Sequence, residues 1–247
     1  MKSEEPIAVA RQLVAERFPD AIQAWLGGSV VNGGATLTSD LDVTILLDIA
    51  EVHRESLVFH GWPVELFVHD DRSIRYFVDK DLARRRPTMA RLVATSLPLL
   101  PGNGGDELRA HCAEVLAAGP GPLAADALDS ERYYLTDLLD DLRGGGSVAA
   151  ATAVAVEVWQ RTVELLLASS EHWTGGGKWL VRELEALDEA RGADYTAQLQ
   201  EALSQAVAGE VVALAKLAEH ALRLVGGPLW SGFRMDALVP DSPASGV

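Results

Sequence analysis

Residues 98–105 read Pro-Leu-Leu-Pro-Gly-Asn-Gly-Gly, and no regular element runs through them. Two prolines and three glycines within eight residues end both helices and central strands. The hydrophobic period differs on the two sides of this break, so the 247-residue chain divides into two domains, 1–105 and 106–247. Before the break, residues 4–18 carry Ile7, Ala10, Leu13, Val14 and Phe18 on one helical face, and Pro19-Asp20 ends the helix. Strands follow at Ile22–Leu26 and Leu41–Leu47, then at Leu57–His60 and Val64–Val68, the last two joined as a hairpin by Gly61-Trp62-Pro63. Residues 73–85 and 88–97 read as helices. This order predicts an α/β domain, a mixed sheet with helices packed on it. After the break the chain is rich in Ala and Leu at helical spacing. Helices are expected over 106–118, 124–142, 148–169, 178–190, 194–206 and 209–225, an all-α bundle with a frayed tail beyond Pro240.

Charge and composition remove several function classes. The net charge of −15 is uneven: residues 1–105 hold 11 Lys+Arg against 14 Asp+Glu, and residues 106–247 hold 10 against 22. A broad acidic surface repels a phosphate backbone, which argues against nucleic acid as a partner and for a cationic one. No apolar run reaches the ~18 residues of a membrane span. The acidic start, Met1 to Pro6, lacks a signal core. The single cysteine, Cys112, excludes an internal disulfide and a cysteine-based zinc site. These features fit a cytoplasmic protein.

One stretch carries chemistry. Gly27-Gly28-Ser29 follows a strand; after ten intervening residues come Asp40-Leu41-Asp42, in the next strand. Alternation puts Asp40 and Asp42 on one face, about 7 Å apart along the strand. Side-by-side carboxylates repel unless a cation lies between them, and magnesium binds through one or two carboxylates plus substrate phosphates. Glycines that allow close backbone approach, a serine hydroxyl and free N–H groups at a helix start would hold a phosphate. Glu65 is the one acid in the apolar run Val64–Val68. There it would serve as a metal ligand, as a general base on an acceptor hydroxyl, or as both.

Gly28-Ser29, the ten-residue gap, Asp40-x-Asp42 and a later strand acid resemble the signature of the polymerase-β-like nucleotidyltransferase superfamily. The short first domain and helical second domain are similar to the bacterial aminoglycoside-nucleotidyltransferase-like group. The resemblance implies a nucleotidyltransferase catalytic domain over 1–105 and a helical substrate-binding domain over 106–247. It gives Gly28 and Ser29 contacts to the nucleotide phosphates, Asp40 and Asp42 a Mg²⁺ site, and Glu65 the third acidic position. The implied reaction moves a nucleoside monophosphate, AMP from ATP or its counterpart from another NTP, to a hydroxyl of a small acceptor such as a cationic one; AMP transfer to a protein, as by an antitoxin, is the alternative. A non-catalytic nucleotide-binding protein of the same fold is the reading from a different class.

A second unusual stretch, Trp173-Thr-Gly-Gly-Gly-Lys178-Trp179, sets a lysine after a glycine run at a predicted helix start. Such a position suits an anion, so Lys178 is a candidate for the triphosphate, with Arg182 one turn on. Three adjacent arginines, Arg84, Arg85 and Arg86, fit the satisfaction of helix C-terminal carbonyls. His69 reads as a structural histidine.

Overall fold

The computed structural model describes residues 5–31, 33, 36, 38–49 and 51–236. The chain folds as two compact units, Met1–Pro120 and Gly121–Val247. In the first unit the order is α1 (Pro6–Arg17), β1 (Gln23–Gly27), β2 (Leu41–Leu46), β3 (His53–Phe59), β4 (Trp62–His69), α2 (Asp71–Ala83), α3 (Thr88–Ala94), β5 (Leu97–Pro98) and α4 (Asp106–Ala118). The five strands form one mixed sheet in the order β3-β4-β2-β1-β5, in which β2 and β4 are parallel and the other pairs antiparallel.

Strand alternation sorts the side chains of this sheet between two cores. Ala24, Leu26, Leu41, Val43, Ile45, Val64, Leu66 and Val68 pack with Val9, Leu13 and Val14 of α1. Trp25 and Leu46 point the other way and meet Ile74 and Val78 of α2, Met89 and Val93 of α3, and Leu108 and Cys112 of α4. Asp42 and Glu65 belong to this second face by register, since Asp42 pairs with Glu65 and Gly27, and Trp25 pairs with Thr44. Helix α2 begins with a capping box, Asp70 accepting from Ser73 N at 2.8 Å while Ser73 Oγ receives the Asp70 N–H at 3.1 Å.

Three elements depart from the hydrophobic pattern. Strand β3 starts at His53, four residues before Leu57, because it is an edge strand whose first residues are polar and face water. The helix expected over 88–97 stops at Ala94, and Leu97–Pro98 form the short edge strand β5 beside Trp25 and Leu26. Proline is tolerated there because an edge strand has one side without a ladder partner. Helix α4 lies in the first unit, so the boundary between the units follows Pro120 instead of residue 105. Leu108 and Cys112 close the core on Trp25 and Leu46, and Arg109 donates to the carbonyls of Ala94 at 3.3 Å and Ser96 at 3.1 Å.

The second unit is helical: α5 (Ala125–Gly144), α6 (Val148–Ser169), α7 (Lys178–Arg191), α8 (Tyr195–Val207) and α9 (Val212–Leu224), each within three residues of its expected bounds. No strand occurs among its described residues. Helix α6 is its axis, burying Ala155, Val158, Val163, Leu165, Leu166 and Leu167 against the other four. Asp188 caps α8 from the preceding helix, accepting from Tyr195 N and Thr196 N at 2.8 Å each. No described helix is long and apolar enough to cross a membrane. Residues 1–4 and the tail beyond Pro240 lie outside the described residues.

The placement of α4 is checked with two fragments. Residues 1–120 are expected to unfold cooperatively. Residues 1–105 lose the buried Leu108 and Cys112 and uncover Trp25, which at about 1.5–3 kcal/mol per large apolar side chain removes most of a small domain's stability. Thermal unfolding of the two by circular dichroism reads the difference; equal midpoints would place α4 outside this core. In the full chain, burial pushes the Cys112 thiol up to about 11, so its alkylation at pH 8 is expected to track unfolding.

Candidate active site

The register brings the acids together. Asp42 and Glu65 are direct partners on the parallel strands β2 and β4, and Asp40 stands two residues before Asp42. One carboxylate oxygen from each of Asp40, Asp42 and Glu65 lies within 4.8 Å of the other two, and all three residues are half-buried. Among the described residues this is the one cluster of three or more acid, His or Cys side chains with that closeness. The donor set is all oxygen and trianionic, which fits a hard divalent cation and not a soft one. Oxygens bound to one magnesium ion lie about 3 Å apart when adjacent and about 4.2 Å when opposite, so the three acids stand near enough that side-chain movement would let them share a divalent ion.

The turn above the acids is built for close approach. Gly28 has φ +77°, a left-handed conformation, and a Cβ there would run into the Asp42 carboxylate. A Cβ at Gly27 would stand 2.7 Å from Ser96 Oγ. Gly28 therefore requires glycine, while a side chain at Gly27 would force the Ser96 hydroxyl to move. Residues 29–31 form a turn, with Val31 N bonded to Gly28 O at 3.3 Å, where the glycine–serine motif suggests a helix start. Ser29 Oγ is held 2.7 Å from Ser39 Oγ, and Ser39, itself buried, accepts from Thr36 N at 2.8 Å. Ser39 is a positioning residue that carries no periodic or motif signal in the sequence.

A second residue that no sequence pattern marks is Arg54 on the edge strand β3. Its guanidinium donates to Glu65 Oε2 at 2.5 Å and lies 5.1 Å from the Phe67 ring. The site therefore already contains a cation, and it offsets part of the repulsion among the three acids.

The other expected residues are placed as follows. His69 is buried on the site face of β4 with Nδ1 3.1 Å from Ser73 Oγ, and burial lowers its pKa, so it is neutral at pH 7. Arg84 pairs with the buried carboxylate of Asp81, which also accepts from Met89 N at 2.7 Å. Lys178 is the exposed first residue of α7 in the second unit, and Arg182 lies over the Trp179 ring at 4.8 Å.

The sheet thus carries three convergent acids beneath a glycine–serine turn. The family model of the nucleotidyltransferase domain matches residues 7–91, the span from α1 into α3, and this part of the chain is a nucleotidyltransferase domain. Comparison with curated proteins gives no match. Among solved structures the chain is similar to a nucleotidyltransferase-like protein from Exiguobacterium sibiricum 255-15, at 10% identity over 89% of this chain and 77% of that one, with a TM-score of 0.43.

The Asp42→Asn variant separates stability from metal binding. Removing one charge from a crowded cluster relieves repulsion, so the melting temperature without metal is expected to hold or rise while Mn²⁺ binding by calorimetry is lost. Unchanged Mn²⁺ affinity would remove Asp42 from the metal site.

Proposed function

We propose that the protein is a Mg²⁺-dependent nucleotidyltransferase that moves AMP from ATP to a hydroxyl of a small acceptor. The observation that carries this reading is the trianionic cluster at the end of two parallel strands, set beside a glycine–serine turn. Asp40, Asp42 and Glu65 would hold the metal, which when bound would supply Lewis-acid stabilisation of the charge that develops on phosphate. The Gly28 backbone and the Ser29 hydroxyl bind the phosphates, with Ser39 fixing the Ser29 rotamer. Glu65 stands on the acceptor side and takes the hydroxyl proton. The acceptor oxygen then forms a bond to the α-phosphorus, the bond from that phosphorus to the bridging oxygen breaks, and pyrophosphate leaves toward the glycine turn. Positioning and electrostatics supply the acceleration.

Three carboxylates and a triphosphate leave an excess of negative charge even with two divalent ions bound. Lys178, exposed after Gly177 at the start of α7, is our candidate for a balancing cation from the second unit. Its replacement, Lys178→Ala, is expected to weaken ATP binding by about 1.5–3 kcal/mol, the worth of one charge-assisted contact, with folding unchanged.

Pyrophosphate release on mixing protein, ATP and Mg²⁺ with candidate acceptors tests the reading. Release is expected to need Mg²⁺ and to fall at least ~10³-fold in Asp40→Asn, as for loss of a principal electrostatic group. Release that persists in that variant, or that proceeds fully in chelator, would refute the assignment.

A further inference from the structure

We propose that a cavity of about 400 Å³ beside the carboxylates is the acceptor site, and that it takes a small hydroxyl compound with a flat apolar body and an acidic group. This rests on the reading above and names the substrate class of that same site. The cavity lies in the first unit, and its walls include Arg54, Phe67, His69, Phe77, Arg84 and Met89. Its size is that of a small-molecule site.

Glu65, Phe67 and His69 alternate along β4 onto one face, so the first β4 residue of the cavity floor, Phe67, follows Glu65 by one strand repeat, about 7 Å along the backbone. Arg54 spans the gap, bonded to Glu65 and lining the cavity at once. The direction of attack agrees. Across the sheet the order is β3-β4-β2-β1, with the glycine turn at the end of β1 and the acids on β2 and β4. Attacking and leaving oxygens stand roughly in line in phosphoryl transfer. Pyrophosphate departing toward β1 requires a nucleophile arriving from the β4–β3 side, where this cavity is.

The floor is aromatic and apolar, from Phe67, Phe77 and Met89, and the buried His69 is neutral there. The Asp81 carboxylate in the wall is committed to Arg84 and to Met89 N. Arg54 is different: its side chain is 60% exposed, and its planar fork has donors beyond the one given to Glu65. Once Glu65 engages a metal, Arg54 has the geometry to receive a carboxylate or phosphate of the acceptor in two parallel bonds. A cationic acceptor would meet Arg54 with repulsion. The acidity of the chain as a whole does not reverse this, because charges more than about 8 Å away are screened at physiological salt. The competing cavity, of about 700 Å³, is walled by Asp48, Asp70, Asp71, Asp106 and Glu107 against the single Arg72, and its acid excess would suit a cation. It lies at the Leu46 end of β2, four residues or about 13 Å from Asp42, out of reach of the reaction.

The test is a binding comparison with the full chain and two probes that share a phenol ring, 3-(4-hydroxyphenyl)propionate and tyramine. Affinities are read by saturation-transfer NMR and calorimetry with Mg²⁺ and without nucleotide, so failure here is distinct from failure of nucleotidyl transfer. The acid is expected to bind about tenfold more tightly than the amine, and to lose about that factor in Arg54→Gln. A saturating non-hydrolysable ATP analogue with Mg²⁺ is expected to leave its affinity equal or higher. Tighter binding of the amine, no binding of the acid at millimolar concentration, insensitivity to Arg54→Gln, or displacement by the ATP analogue would each overturn the proposal, the last by making the cavity a nucleobase site.

Discussion

Asp42 and Glu65 stand opposite one another on neighbouring parallel strands, and the repulsion between them is the constraint around which the first unit is organised. Like charges at this separation are stable only when a cation shares them or a partner neutralises one. The protein supplies a partner in Arg54, reaching across from the edge strand to Glu65. It supplies room above the acids through two glycines where any side chain would collide with Asp42 or Ser96. A hydrophobic sheet face with three acids at one end is costly by itself, and it is held in place by cores on both faces, α1 on one and α2, α3 and α4 on the other.

The same arrangement separates the chemical tasks across the sheet. In the proposed reading, phosphate is held at the end of β1 and metal on β2 and β4, and a cavity with an arginine at its edge stands beside β3 and β4. Strand order would then fix the direction in which reactants meet, with nucleotide and acceptor approaching the acids from opposite sides. Arg54 links the two halves of this division, because any group that draws Glu65 toward a cation also frees guanidinium donors for the acceptor.

Much of this was legible in the sequence where a single rule of periodicity applied. The helices of the second unit stand within three residues of their expected bounds because Gly and Pro clusters punctuate an unbroken helical period. The three acids were legible because alternation on β2, and one acid in an apolar strand, leave few geometries. Arg54 was not, since the polar opening of β3 has no hydrophobic pattern and read as loop. Ser39 was not, since a buried hydrogen bond between two serines ten residues apart leaves no periodic trace. Helix α4 shows an apolar face in the sequence, but a face does not say which core it joins; Trp25 and Leu46 decide that.

The central claim is that Asp40, Asp42 and Glu65 share a metal that also holds the nucleotide. Diffraction from crystals grown with Mn²⁺ and a non-hydrolysable ATP analogue measures it directly, through the anomalous signal of manganese. An anomalous peak is expected within bonding distance of oxygens of all three acids and of the analogue's phosphates, with the phosphates beside Ser29. A manganese bound elsewhere, with Glu65 still paired to Arg54 and no contact to the ion, would contradict it.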